Sequence, residues 1–346
     1  REASPAEIAD WEAQKAQAKH VALPAADTGD PHLAMLTRMR AKDVVRYGTK
    51  AANLGEIRTA NLPGVNIPDG FGVPFFYYVR HMKQHGLDAK VEAMLSDARF
   101  PTDAAWRRAE LETLRKAITE APIDPKVLDV IYRRVRLKLG GRGVFVRSST
   151  NAEDLPGFNG AGLYDTVANV VGRDALGVAL RTVWASLWNL RAVEERSAFG
   201  IDHRQVFAAV LVQVGVKATA AGVLVSTNLY DRSDDDGFTI NAKWGLGMRV
   251  VEGQKIPEQI IFDATNDGTK IISRADDPIM LVFDEHGGIK EMQAPGGVIL
   301  TEARAKRLVT AVRLFMPLFT AKVLDVEWVL EGETMWIVQA RPYVGA

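Results

Sequence analysis

The spacing of hydrophobic residues changes near the middle of this chain. Between about 75 and 140, apolar side chains recur every three to four positions among charged ones, in "YYVRHMKQHGLDAKVEAML", "DAAWRRAELETLRKAITEA" and "DPKVLDVIYRRVRLKL". That period predicts a series of amphipathic helices. "GVFVRSST" reads as a buried strand, followed by the turn-rich "NAEDLPGFNGAGLYDT" and by a helix over roughly 174–196 that carries Trp184, Leu187, Trp188 and Leu190. Beyond about 205 the text turns to short β-branched runs: "VFAAVLVQVGV", then "AAGVLVSTN" with an acidic hairpin tip, "YDRSDDDG". Strands are predicted near 258–263, 279–284, 324–330 and 334–340, around one more helix at 301–320.

Upstream, "GTKAANLGEIRTANLPGVNIPDGFGVP" predicts a Gly-led helix start, a short helix, a Pro-Asp-Gly turn and an apolar strand. Residues 1–31 begin as a short polar helix and become rich in Pro, Gly and Asp, as in a leader arm or linker. Helices crowd the first half and strands the second, so the fold class expected is α+β rather than a regular βαβ alternation. The expected divisions are a leader arm or linker at 1–31, an N-terminal lobe at 32–205 and a C-terminal lobe at 206–346.

Composition narrows the chemistry. The 346 residues suit two medium lobes, each with its own core. Lys plus Arg equals Asp plus Glu at 43 each, so no global field favours nucleic acid or an acidic membrane. Cysteine is absent, which removes disulfides, thiolate nucleophiles and Cys-ligated zinc together. No run approaches the roughly 18 apolar residues of a spanning helix, and the start lacks a signal peptide's apolar core. The compartment is therefore not encoded here, with the cytoplasm as the default expectation, and the absence of an initiator Met reads as a fragment or a processed chain.

Three stretches could carry chemistry. In "GVFVRSSTNAEDLPGFNGAGLYDT", Arg147 ends a strand, Ser148, Ser149 and Thr150 follow, and Gly157, Gly160 and Gly162 expose backbone N–H groups. A cationic fork, hydroxyls and close main-chain approach suit a polyphosphate; the same residues could equally form a surface loop satisfying turn geometry. Lys50 follows Gly48 at a helix start, where a point charge and the helix dipole could hold a phosphate, or where a lysine is simply solvated. In "LDVEWVLEGETMWIVQARP", a hairpin through Glu331-Gly332-Glu333 puts Asp325 and Glu327 on one face of its first strand and Gln339 and Arg341 on one face of its second. Two carboxylates and an amide carbonyl form a hard oxygen set for Mg²⁺ between phosphates, with Arg341 beside a transferring phosphoryl group; an edge hairpin with a wet polar face is the alternative. The turn around His286 and the acidic "DRSDDDG" read as plain turns.

Taken in order, "GTKAANLGEI", "IPDGFGVP", "VRSSTNAEDLPGFNGAGLYDT", "FGIDHRQVFAAVLVQVGV", "AAGVLVSTN", "WGLG" and "DVEW…WIVQARP" resemble the nucleotide-binding domain of the phosphoenolpyruvate synthase and pyruvate phosphate dikinase family, which includes rifampin phosphotransferases and glucan, water dikinases. The match runs from about 45 to 342. The resemblance implies an ATP-grasp fold whose helix-rich and β-rich lobes close on ATP. It places Lys50 and Arg147 on phosphates, with the loop around Gly162 and Thr166 covering them. Gln213 would sit at the adenine hinge; Asp325, Glu327 and Gln339 would face magnesium ions, and Arg341 would touch the phosphoryl groups. Catalytic duty would fall to Lys50, Arg147 and Arg341.

The family passes a phosphoryl group from ATP to a histidine on a separate swivelling domain. None of the six histidines here carries that domain's Gly-Gly…Ser-His-Ala-like motif, so this chain would be an ATP-dependent phosphotransferase incomplete by itself, with a phosphohistidine domain as partner. A non-catalytic nucleotide sensor or scaffold, or direct phosphorylation of a glucan or small molecule, are the competing readings. Two departures stand out: Met248 where the family has Glu after Gly-Leu-Gly, and "GAGLYDT", closer to the glucan dikinase phosphate loop.

Overall fold

The structure, a computed structural model, describes residues 21–344 apart from 154, 156, 157, 159, 161, 232, 235 and 249–255. The first 20 residues of the expected leader arm therefore lie outside the described residues.

Two antiparallel sheets form the frame. The first has the order β1-β2-β5-β3-β4, from β1 (Ala34–Met35), β2 (Gly70–Val73), β3 (Val144–Thr150), β4 (Thr166–Val170) and β5 (Ala208–Val214). The second has the order β13-β12-β6-β7-β8-β9, from β6 (Ala220–Val225), β7 (Gly237–Trp244), β8 (Glu258–Asp263), β9 (Gly268–Ser273), β12 (Leu324–Glu331) and β13 (Thr334–Pro342). A separate hairpin, β10 (Ile279–Phe283) with β11 (Ile289–Gln293), joins neither sheet. The result is the α+β, two-lobed ATP-grasp arrangement expected from the sequence.

Strand alternation sorts the side chains of each sheet. On β3, Val144 and Val146 enter a core shared with the helical segment, while Phe145, Arg147 and Ser149 take the other face. On β12, Leu324, Val326, Trp328 and Leu330 enter a second core, and Asp325, Glu327 and Val329 turn away from it. Helix α1 (Val44–Ala60) contributes Tyr47, Ala51, Leu54 and Ile57 to that second core. The helices α2 (Phe75–Gln84), α3 (Leu87–Ser96), α4 (Arg99–Thr102), α5 (Ala104–Glu120) and α6 (Pro125–Lys138) fill the predicted helical region. They pack the first core together with α7 (Arg173–Ser186) and α8 (Leu190–Ala198).

Three expectations shift. The helix foreseen over 174–196 is two, because Asn189 leaves the helix and its side-chain amide donates to the Leu163 carbonyl and to Asp165. The helix foreseen at 301–320 is α9 (Glu302–Phe315), which gives way to a 3₁₀ turn containing Pro317, a residue without an N–H to continue the ladder. Strand β5, assigned to the second lobe by its position after 205, pairs with β2 and β3 in the first sheet, so the chain changes sheet between Val214 and Ala220.

The helical core contains a pH-sensitive element. His81 on α2 is 3% exposed, faces the Trp184 ring at 5.1 Å and lies 3.3 Å through Nε2 from the Ile118 carbonyl. Burial pushes its imidazole down to about 4, opposed by the Ile118 contact and aided by His85 and Arg181. The unfolded chain, with a histidine pKa near 6.5, binds the proton more readily than the folded one, so stability is full above that value and falls as pH drops toward 4. Urea melts at pH 7.5 and pH 5 should differ by roughly 2 kcal/mol from this residue, and His81→Gln should flatten that slope.

Candidate functional site

Between the two sheets lies a cavity of about 500 Å³. Lys50, Arg147, Gly162, Thr166, Gln213, Asp325, Glu327, Gln339 and Arg341 all line it, although the sequence separates the first from the last by nearly the whole chain.

Lys50 owes its position to a break in α1. Gly48 takes φ 73° and ψ 172°, outside helical geometry, so the helix resumes just before Lys50 and the lysine occupies its first turn. Ser149 secures the break: its Oγ accepts from the Ala51 amide at 3.0 Å and donates to the Tyr47 carbonyl at 2.6 Å. The Lys50 ammonium lies 2.7 Å from Glu153 Oε1, and both side chains are buried.

Arg147 bridges the sheets. One guanidinium nitrogen donates to Gln213 Oε1 on β5 at 3.3 Å and to the Val338 carbonyl on β13. The other donates to Glu327 Oε2 on β12 at 3.0 Å and to Gln339 Oε1 at 3.1 Å. The Gln213 amide is fixed from its other end by donating to the Pro68 carbonyl.

The β12–β13 ladder sets Asp325 opposite Arg341 and Glu327 opposite Gln339. Uninterrupted alternation along β13 would put Gln339 and Arg341 on the same face as Met335 and Ile337, which belong to the second core. A bulge prevents this. Trp328 pairs with Ile337 but Glu327 pairs with Gln339, leaving Val338 as the extra residue. The bulge reverses the parity of everything downstream, turns Gln339 and Arg341 into the cavity, and presents the Val338 carbonyl to Arg147. Arg341 donates through Nε and Nη2 to Asp325 Oδ2, at 3.0 and 2.7 Å.

Some candidates do other work. Ser148, Ser149 and Thr150 are buried away from the cavity: Ser149 secures α1, and Thr150 Oγ1 accepts from the Ala152 amide. Gly157 lies outside the described residues, and Gly160 does not line the cavity. Met248, the departure that follows Gly-Leu-Gly, does line it.

Sequence reasoning missed the supports. Glu153, the partner of Lys50, sat unremarked in "NAEDLPG" because an acid in a turn-rich loop ordinarily faces water. Tyr164, whose hydroxyl pKa is raised by burial, lines the cavity and donates to the Ala152 carbonyl. Arg196, fully buried, donates to the Tyr164 hydroxyl, the Leu187 carbonyl and His203 Nδ1. With Asn189 these groups fix the segment from Leu163 to Asp165 beside Gly162.

The arrangement offers a cationic, hydrogen-bonding end and an apolar end. Lys50, Arg147 and Arg341 supply the cations, while Phe145, Val214, Val216 and Leu246 contribute apolar wall. Among the described residues no group of three or more His, Cys, Asp or Glu side chains could hold a metal unaided. Asp325, Glu327 and the Gln339 carbonyl do fit Mg²⁺ shared with phosphate oxygens, since that ion takes one or two carboxylates and completes its shell from substrate and water.

Comparison with known proteins gives a consistent result. The family model described as pyruvate phosphate dikinase, AMP/ATP-binding domain, matches residues 44–345. The chain is 32% identical over 321 residues to a probable phosphoenolpyruvate synthase of Methanocaldococcus jannaschii, covering 90% of this chain and 26% of that protein. It is 30% identical over 335 residues to the phosphoenolpyruvate synthase of Escherichia coli (strain K12), with 90% and 42% covered. It is 32% identical over 313 residues to a rifampicin phosphotransferase of Streptomyces sviceus, with 89% and 35% covered. The chain thus spans less than half the length of these curated relatives.

Proposed function

The chain belongs to the family of pyruvate phosphate dikinase AMP/ATP-binding domains, and from that premise we propose that it binds Mg-ATP between its sheets and transfers a phosphoryl group to a histidine on a separate swivelling domain. The observation that carries this reading is the convergence of Lys50, Arg147, Asp325, Glu327, Gln339 and Arg341 on one cavity. Adenine takes the apolar end, near Gln213 and the crossover after β5; the phosphates take the cationic end.

Phosphoryl transfer asks little covalent chemistry of a protein and much positioning and charge neutralisation. Each arginine here is held by a carboxylate, Arg147 by Glu327 and Arg341 by Asp325. Phosphate oxygens would compete with these carboxylates for the two guanidinium forks, and the carboxylates so released would be free to hold the metal. Asp325, Glu327 and Gln339 would hold the Mg²⁺, which would supply charge neutralisation for the phosphates. Lys50 adds a point charge at a helix start, and the Gly162 loop covers the phosphates with its main chain.

Calorimetry with Mg-ATP, followed by assay of AMP, phosphohistidine and inorganic phosphate with a carrier domain supplied, tests the reading, the β-phosphoryl going to the histidine and the γ-phosphoryl to water. Arg341→Ala is expected to keep Mg-ATP affinity within about tenfold and to lower transfer about a thousandfold, the size of effect seen when an arginine on a transferring phosphoryl group is lost. Unchanged transfer by Arg341→Ala would overturn the assignment.

A further inference from the structure

The β10–β11 hairpin belongs to neither sheet, yet it touches both. Midway along β10, Leu281 bridges to Gly245 just past the end of β7, and its carbonyl accepts from the Leu246 amide at 2.9 Å. Leu246, Gly247 and Met248 line the cavity directly beyond that bridge. At its tip the hairpin crosses to the first sheet and meets Asn169. The Asn169 side-chain amide donates to the Asp284 carbonyl at 2.7 Å and to the Gly288 carbonyl at 2.8 Å, and its backbone carbonyl accepts from the Gly288 amide at 2.9 Å. Both hydrogens of the amide are thereby used, and the residue is 5% exposed.

The backbone beneath Asn169 is shaped for this contact. Val146 pairs with Val167 but Val144 pairs with Val170, so the β3–β4 ladder has a bulge there, and Asn169 takes φ +50°. Among side-chain-bearing residues, asparagine is one of the few that accept this left-handed conformation readily. Opposite the bulge stands Phe145, a wall of the cavity, and Phe283 of the hairpin packs on it with ring centroids 5.7 Å apart. The space is close-fitted: a Cβ on Gly143 would come within 2.1 Å of Asn169 Oδ1.

We propose that the β10–β11 hairpin is a latch between the lobes, with Asn169 as its positioning residue, and that it fixes the apolar end of the cavity at the width a purine needs. The inference rests on the nucleotide-binding reading above. The latch ties the Leu246–Met248 wall, carried by the second sheet, to the Phe145 wall, carried by the first. It leaves the cationic end, where Lys50 of α1, Arg147 of β3 and Arg341 of β13 converge, to other contacts.

Two variants test it. Asn169→Asp keeps size and backbone tolerance but sets a carboxylate against two carbonyl oxygens, and Asn169→Gly keeps the left-handed backbone while deleting both donors. Hydrogen exchange at the Gly288 and Leu246 amides, and calorimetry with Mg-ATP, AMP and magnesium tripolyphosphate, are measured on each folded variant and on the parent chain. Exchange at both amides should rise at least about tenfold, and ATP and AMP should each bind about tenfold more weakly, the equivalent of one or two hydrogen bonds. Tripolyphosphate, lacking a purine, should keep its affinity within about twofold. Faster exchange with unchanged ATP and AMP affinity would make the hairpin merely structural and overturn the proposal, as would equal weakening of all three ligands. A parent chain that bound neither nucleotide would sink the nucleotide reading and the latch's ligand together, whereas normal parent binding with unaffected variants would sink the latch alone.

Discussion

Arg147→Met should lower Mg-ATP affinity at least about a hundredfold, the largest loss expected from a single cavity side chain. Arg147 is 7% exposed and donates to four acceptors on three strands drawn from both sheets. Methionine preserves much of the stem volume but leaves Glu327 without its cation and Gln213, Gln339 and the Val338 carbonyl short of a donor. Removing one partner of a buried pair costs about 3–5 kcal/mol; the Glu327 side chain is 27% exposed, so water recovers part of that and about 2–3 kcal/mol is the better figure. Arg147→Lys separates the two consequences. A lysine retains the charge but reaches one or two acceptors instead of four, so stability should return further than affinity does. Urea denaturation reads the first and calorimetry the second. Wild-type affinity in Arg147→Met would remove the residue from the phosphate end.

What the sequence made legible follows from which forces are local. The period of 3.6 placed the helices of residues 75–138 and the period of 2 placed β12 and β13, because each of these buries one face on a core; β3, β5 and β6 were read instead from apolar, β-branched runs that are buried almost throughout. Strand β9 was overlooked because its Lys270, Ile271 and Ile272 are exposed, which leaves no buried face to write a pattern. Strand β7 has the alternation Phe238, Ile240, Ala242, but Gly237 and the acidic turn before it disguised its start.

Arg147, Asp325, Glu327, Gln339 and Arg341 were found for a similar reason, whereas Gln213 and Thr166 came only from the family resemblance. Arginine, glutamine and paired acids on otherwise apolar strands conflict with their local setting, and such conflicts concentrate at functional sites. Their neighbours were not found, because Glu153 becomes notable only once α1 brings Lys50 within 2.7 Å of it. The bulge at Val338 is equally silent. "MWIVQARP" reads as unbroken alternation, and only the competition between burying Ile337 and exposing Gln339 to the cavity reveals that one residue must be extruded.

Gly48→Ala should be among the most damaging small substitutions at the described residues. The conformation at Gly48, φ 73° with ψ 172°, belongs to a region almost reserved for glycine, which alone costs a side-chain-bearing residue about 1–3 kcal/mol. A collision is added to the strain. A Cβ at this position would lie 2.0 Å from the Ser149 carbonyl oxygen and 2.9 Å from its Oγ, and the carbonyl is backbone within β3, where Ser149 pairs with Ala209 of β5. Neither strand nor helix can yield without breaking the Ser149 bonds to Tyr47 and Ala51, and those bonds fix the turn that carries Lys50. The expected outcome is a loss of about 4 kcal/mol or more and, in whatever folds, little stabilisation by Mg-ATP. Gly64→Ala is the control: its φ is +76°, yet a Cβ there meets nothing within 4 Å, so it should cost only about 1 kcal/mol of backbone strain. Thermal melts of both variants with and without Mg-ATP separate strain from collision. Equal losses in the two would mean that α1 can slide from β3 freely, and that the break at Gly48 does not hold Lys50 in place.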